Sequence, residues 1–165
     1  MMKNSALTSI IVFYTLLGFS PFALAQTPAS ATPSILSATE HSGYTTPENA
    51  FENHCELDAN GKATGYFSSG WTGSGWTTTV PLSFQLTNRA LSKVKAAIAN
   101  AKAGPIKNFG GQCDAPIIEI SALAAGDSQN FAVESMPDCA PTQTNTNPAA
   151  DDLRAWAANL CKIKN

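Results

Sequence analysis

Four widely spaced cysteines constrain the fold of this chain more than any other feature of its sequence. Cys55, Cys113, Cys139 and Cys161 are its only cysteines, and the nearest two, Cys139 and Cys161, are 22 residues apart. Cysteine zinc sites usually contain pairs with about two to four intervening residues, so this spacing argues against a zinc site. An even number of cysteines in an exported chain indicates disulfides. We therefore expect two disulfides and no metal site.

Four cysteines allow three pairings, and the surrounding pattern favours one of them. A hairpin predicted over residues 117–135 brings Cys113 and Cys139 together at its open end. Cys55 then pairs with Cys161 and connects an early strand to the last helix. Closing such a long loop contributes about 2–5 kcal/mol to the free energy of unfolding.

The N-terminal segment predicts export. Lys3 precedes an uncharged, mostly apolar run, and Ala23-Leu24-Ala25 supplies small residues where a signal peptidase cleaves. The run has about 14 residues, fewer than the ~20 that a membrane-spanning helix needs. We expect a signal peptide at 1–25, a secreted or periplasmic protein, and no membrane anchor after cleavage.

The charge balance argues against nucleic acid as a partner. The chain has 10 Lys and Arg against 12 Asp and Glu, a formal net charge of −2. Nucleic-acid binding needs a marked excess of basic residues, so we expect no nucleic-acid partner. The sequence has no P-loop or G-x-G-x-x-G motif, so we expect no cofactor. We also expect the protein to be a monomer.

Composition divides the exported part into two regions. Residues 26–45 are rich in Pro, Ser, Thr and Ala and lack strand or helix periodicity, which predicts a disordered linker. Residues 46–165 are expected to form a single disulfide-bonded globular domain.

The segment FSSGWTGSGWTTTVP predicts a hairpin with defined partners. A two-residue type II′ turn at Gly73-Ser74 places Trp71 opposite Trp76. Continuing this register gives one apolar face and one hydroxyl-rich face, the pattern of a half-buried antiparallel hairpin.

The preceding hairpin is predicted from Asn60-Gly61, a dipeptide that favours a two-residue type I′ turn. Its register places Cys55 opposite Tyr66 and on the same face. The next hairpin instead places Phe67 on the apolar face, so the two predicted registers differ by one residue in which side chains of the shared strand face the core. A bulge at Gly65 is the hypothesis that reconciles them.

A third hairpin is predicted around a turn at Gly126-Asp127. In this register Ile120 faces Val133 on the apolar side. Glu134 falls on the opposite, solvated side.

Two amphipathic helices complete the prediction. Thr87 or Asn88 caps the first, Gly104-Pro105 ends it, and Pro148 begins the second. We predict an α+β fold with an antiparallel sheet of about five strands and two disulfides. Its predicted elements are hairpins at 53–68, 66–81 and 117–135 and helices 88–103 and 149–162.

No catalytic motif is present, so the leading hypothesis is a small secreted non-catalytic binding protein. It would act on an extracellular protein or glycan as an inhibitor, adhesin or effector does. Exposed aromatic residues and a basic helix are the usual materials of such a surface. The candidate binding residues are Trp71, Trp76, Tyr66, Arg89, Lys93 and Lys95.

Two alternatives remain open. His54 lies two and four residues before Glu56 and Asp58, so all three project from one strand face and could act as the acid–base groups of a small extracellular hydrolase. Trp71 and Trp76 could instead stack on sugar rings in a carbohydrate-binding module.

Overall fold

A computed structural model describes residues 32–111, 113–123, 131–137, 139 and 141–162. The predicted signal peptide and the Gly126-Asp127 turn lie outside these ranges and stay predictions. No helix in the described ranges is both long and apolar enough to span a membrane.

The described residues form one antiparallel sheet of eight strands, more than the five or so predicted. The strand order is β4-β3-β2-β1-β6-β7-β8-β5, so β4 and β5 are the edges. The strands are β1 Ser34–His41, β2 Phe51–Asp58, β3 Lys62–Trp71, β4 Trp76–Gln85, β5 Ile106–Phe109, β6 Ile117–Ala122, β7 Phe131–Met136 and β8 Thr142–Asn145.

The prediction of a disordered linker over 26–45 is wrong for residues 34–41, which form β1 in the middle of the sheet. β1 pairs with β2 on one side and β6 on the other. Its inward side chains are Leu36, Ala38 and Glu40. A small residue and a buried carboxylate at inward positions hide the apolar alternation from which strands are predicted.

Two helices cover one face of the sheet, which we call the helix face. α1 spans Asn88–Lys102 and α2 spans Pro148–Leu160. Thr87 accepts a hydrogen bond from Ala90 N and Asn147 accepts one from Ala149 N, so each helix has a side-chain N-cap. The core between the sheet and the helices contains Leu36, Leu57, Val94, Ile98, Ile118, Ile120, Val133, Leu153 and Trp156, among others.

Both predicted disulfides are confirmed. Cys113 pairs with Cys139, and Cys55 pairs with Cys161 across 106 residues of sequence. The second bridge attaches the end of α2 to β2, with the two Cα atoms 5.4 Å apart. Two disulfides are compatible with an oxidising compartment.

The tryptophan hairpin has the predicted register, with Trp71 opposite Trp76 and Phe67 opposite Val80. Thr72 N donates to Gly75 O at 2.9 Å, and Gly73 has φ +89°, as the first central residue of a type II′ turn requires.

The register predicted for the preceding hairpin is wrong by one residue. Cys55 lies opposite Gly65, and Tyr66 lies opposite His54 on the other face of the sheet. The reason is a three-residue loop: Gly61 adopts φ +85° after a turn in which its N–H donates to Asp58 O. This loop is a common alternative to the two-residue turn, and it removes the need for a bulge at Gly65.

Glu134 was predicted on the solvated face but is buried. The β6–β7 register shifts between Ile120 and Ser121, so Ile120 faces Glu134 instead of Val133. This irregularity directs the carboxylate towards α2, where Arg154 lies 3.2 Å away. Burial raises the pKa of Glu134, while Arg154 and a hydrogen bond from Thr144 oppose the increase.

This raised pKa predicts a pH-dependent contribution to stability. The folded state holds the Glu134 proton more tightly than the unfolded state, so the stabilisation is complete below the unfolded pKa and is lost as the pH rises through the folded pKa. The free energies of unfolding of wild type and Glu134→Gln can be measured with urea from acidic to neutral pH. Their difference should change in favour of the variant as the pH rises. A pH-independent difference would contradict this prediction.

Candidate functional site

An exposed apolar surface lies on the hairpin of β3 and β4, and we call it the hairpin patch. It consists of Phe67, Trp71, Trp76 and Val80. Phe67 is 38 % exposed, Trp71 40 % and Val80 53 %. These side chains lie on the helix face, where residues beneath the helices, such as Leu57, are fully buried. The hairpin patch thus continues a core face beyond the cover of the helices.

The base of the hairpin patch is concave. A pocket of about 550 Å³ is lined by Phe67 and Val80 together with Phe51 from β2. Lys162, which follows α2, and the short 3-10 helix Pro47–Asn49 form its sides. The polar uncharged and acidic residues that line it are Glu48, Asn49, Asn53 and Ser69, of which Asn53 is buried. An apolar base with polar groups around it is the usual form of a binding site.

The two indoles at the hairpin tip are not coplanar. Their ring centres are 5.3 Å apart and their planes meet at 69°, an edge-to-face contact. This geometry contributes about 0.5–1.5 kcal/mol beyond area burial, so the pair stabilises the hairpin without any ligand. It does not form one flat surface on which a sugar ring could stack.

The other sheet face carries a connected set of polar side chains, the polar network. Glu52 receives a hydrogen bond from Tyr66 Oη and lies 3.1 Å from His41 Nδ1. The Tyr66 and His54 rings are 5.5 Å apart. His54 Nδ1 lies 3.0 Å from Thr39 Oγ1 and Nε2 lies 3.3 Å from Glu56 Oε1. Tyr66, a predicted partner of the tryptophans, therefore belongs to a different surface.

The polar network is not arranged as a metal site. Within the described ranges no three His, Cys, Asp or Glu side chains are grouped so that they could hold a metal ion. Asp58, proposed with His54 and Glu56 as an acid–base group, instead accepts hydrogen bonds from the backbone N–H groups of Asn60 and Lys62. Its carboxylate therefore stabilises the turn.

The three basic candidates on α1 do not form one site with the aromatic residues. Lys95 Nζ donates to Ala59 O at 2.8 Å, which ties α1 to the β2–β3 loop. Lys93 lines a groove between α1 and α2. Arg89 lies in the first turn of α1. The six predicted binding residues are thus divided among the hairpin patch, the polar network and α1.

Sequence reasoning missed Phe67 and Val80 as candidate binding residues because the alternation that predicts a half-buried strand does not show where helix cover ends. No protein-family model matches this chain, and a search of curated proteins found no match. The candidate site therefore depends on geometry alone.

The Glu52–Tyr66 contact predicts an altered tyrosine titration. The hydrogen bond to Glu52, with burial and the carboxylate charge, raises the pKa of Tyr66 to about 12. Glu52→Gln should lower the Tyr66 pKa towards the usual value of about 10, measured by NMR titration of the tyrosine ring carbons. Glu56→Gln is the control, since Glu56 lies on the same strand but does not contribute to the raised Tyr66 pKa, and it should leave that pKa unchanged. An unchanged Tyr66 pKa in Glu52→Gln would refute the assignment.

Proposed function

We propose that this chain is a secreted or periplasmic non-catalytic binding protein and that the hairpin patch docks an extracellular protein. The observation that carries the proposal is the clustering of exposed apolar side chains. Of the six large hydrophobic side chains exposed in the described residues, three lie on this hairpin: Phe67, Trp71 and Val80. Exposed apolar clusters with polar rims are characteristic of protein-binding surfaces.

The composition of the hairpin patch favours a protein over a glycan. Phe67 and Val80 offer no hydrogen bonds, and the inclined indoles give no flat stacking surface. Protein interfaces are enriched in aromatic residues at the centre of an apolar contact, and tryptophan is prominent among residues whose truncation weakens binding most. Charged groups enter only at the rim, through Glu48 and Lys162.

We predict that a charge in the hairpin patch weakens partner binding. Val80→Asp places a carboxylate in the contact, and we expect at least about tenfold weaker affinity, equivalent to ~1.4 kcal/mol. The oxidised wild-type chain would first isolate the partner from native extracellular fluid, and calorimetry would then compare the variants.

Phe109→Asp is the matched control because Phe109 is also about half exposed, at 51 %, but lies on the opposite sheet edge. It should bind as wild type does. Equal binding by Val80→Asp and Phe109→Asp would reject the hairpin patch as the contact surface. Tryptophan quenching by soluble glycans without protein capture would favour the carbohydrate-binding alternative.

One observation favours the hydrolase alternative. Glu56, His54 and Thr39 form a carboxylate–imidazole–hydroxyl chain, with distances of 3.3 and 3.0 Å. When His54 Nε2–H donates to Glu56, Nδ1 is free to accept the Thr39 proton, which is how a hydroxyl nucleophile is activated.

His54→Ala separates the two functions. We expect this variant to stay folded and to capture the partner as wild type does, because His54 lies on the face opposite the hairpin patch. The second measurement is hydrolysis of an activated ester. Wild-type turnover that His54→Ala abolishes would favour the hydrolase.

A further inference from the structure

The two disulfides differ in their exposure to solvent. Cys113 and Cys139 are both exposed, whereas Cys55 is 0 % and Cys161 is 4 % exposed. Thiol–disulfide exchange requires a thiolate to approach a disulfide sulfur, so its rate depends on access. Exposed disulfides are the readily reduced ones, while structural bridges in exported proteins resist reduction. The Cys113–Cys139 bridge is therefore the more accessible of the two to a reagent in solution.

The backbone around the exposed bridge favours its opening. Asp114, which follows Cys113, has φ +64°, and Cys139 has φ +55°. Both values lie in the left-handed region that residues with side chains rarely adopt. Lys162, beside the buried bridge, has φ +58°, but it follows the end of α2, where a left-handed residue is common. Opening the exposed bridge allows both of its loops to relax.

The exposed bridge also contributes less to the fold than the buried one. Its cysteines are separated by 26 positions in the sequence, against 106 for Cys55 and Cys161. Stabilisation by loop closure increases with loop length. In addition, β6 and β7, which lie between Cys113 and Cys139, pair with each other and with β1 and β8. We therefore expect the sheet to persist when this bridge opens.

The exposed bridge connects two segments that line one pocket. This pocket has a volume of about 320 Å³ and lies near the β5 edge of the sheet. Its lining includes Ala115, two residues after Cys113, and Met136 and Pro137, shortly before Cys139. The bridge limits how far these two segments can separate. Its reduction is therefore expected to change the shape of the pocket.

The charges beside the cysteines indicate which thiol compounds react best. Asp114 follows Cys113 and Asp138 precedes Cys139 in the sequence. No Lys or Arg occurs between positions 107 and 154. The attacking group is an anionic thiolate, so any further negative charge on the reagent adds to the repulsion. A thiol compound whose other groups are neutral or cationic is therefore favoured.

We propose that Cys113–Cys139 is a reversible exchange site for a dithiol without other negative charge, and that its reduction opens the adjacent pocket. One thiolate of the dithiol attacks a bridge sulfur, the S–S bond breaks, and the released cysteine thiolate takes up a proton. The second thiolate then attacks the mixed disulfide, which forms the disulfide of the reagent and releases the other cysteine. Two electrons and two protons thus pass from the dithiol to the bridge. The site is independent of the proposed docking function, since no residue of the hairpin patch lines this pocket.

Reduction without denaturant tests the selectivity. Dithiothreitol is added to the intact oxidised chain at neutral pH, samples are quenched with iodoacetamide over time, and alkylated peptides are identified by mass spectrometry. We expect Cys113 and Cys139 to be alkylated at least about tenfold faster than Cys55 and Cys161. In a denaturing concentration of urea the four rates should become similar, because the difference comes from burial in the folded chain.

Two monothiols of opposite charge test the charge preference, with each rate divided by the thiolate concentration. Cysteamine, which is cationic, should open the exposed bridge faster than mercaptoethanesulfonate, which is anionic. Asp114→Asn should reduce this difference, because it removes a carboxylate and asparagine also tolerates the left-handed region. Glu48→Gln is the matched control, since Glu48 lines the pocket at the hairpin patch near the other edge of the sheet. It should behave as wild type does.

Met136 reports whether the pocket changes. It is the only methionine beyond the first two residues, so its isotope-labelled methyl group gives a readily assigned NMR signal. We expect this signal to move when dithiothreitol opens the exposed bridge. The double variant Cys113→Ser/Cys139→Ser should show the same change, and its circular dichroism should remain that of the folded protein.

The proposal is overturned if Cys55 and Cys161 react as fast as Cys113 and Cys139 in the folded chain, or if the exposed bridge opens only in urea. It is equally overturned if the Met136 signal stays in place after selective reduction, or if the double variant is unfolded. Equal rates with the two monothiols would reject the preference for a reagent without negative charge.

Discussion

The width of the sheet relative to its two helices determines which surfaces this protein exposes. Eight strands spaced about 4.8 Å apart extend over about 34 Å, whereas two helices packed side by side cover roughly 20 Å. The helices bury the central strands, and apolar side chains on the outer strands stay exposed. Phe67, Trp71 and Val80 lie towards one edge. The other edge strand, β5, carries exposed Ile106 and Phe109, which are three residues apart and therefore point to opposite sheet faces.

The β4 edge itself is poorly suited to adding another strand. Leu86 N donates to Gly61 O, and hydrogen-bonding alternates along an antiparallel pair, so Pro81 directs its ring nitrogen away from β3. Proline at that position removes a donor from the middle of the open edge, as natural edge strands often do. A partner at this hairpin is therefore expected to contact side chains of the hairpin patch instead of extending the sheet.

Local turn chemistry made part of the fold predictable from sequence. Glycine at the first central position of the turn predicted the tryptophan register correctly. Capping residues and apolar periodicity predicted the ends of both helices to within two residues. The first hairpin was misread because Asn60-Gly61 is compatible with loops of two or three residues, and the choice reverses the face of Tyr66.

The errors at β1 and at Glu134 share one physical cause, polar residues at buried positions. Glu40 is fully buried and accepts a hydrogen bond from Asn53, while Glu134 is paired with Arg154. Each of these buried carboxylates has a side-chain partner, but polar residues at these positions interrupt the apolar pattern by which β1 and the face of β7 would be recognised. β5 and β8 have four residues each and carry too little pattern to be identified.

The Cys55–Cys161 bridge determines where the helix cover ends and the hairpin patch begins. It holds the residue after α2 against β2, and Asn53 Nδ2 donates to Lys162 O at 3.3 Å just beyond it. Lys162 in turn forms part of the pocket lined by Phe67 and Val80. The bridge closes a loop of about 100 residues and so lowers the conformational entropy of the unfolded chain. In the chain-entropy estimate this adds about 4.7 kcal/mol to the free energy of unfolding. The same bond therefore supports the fold and positions Lys162 at the pocket, so loss of this disulfide would change the shape of the pocket as well as the stability.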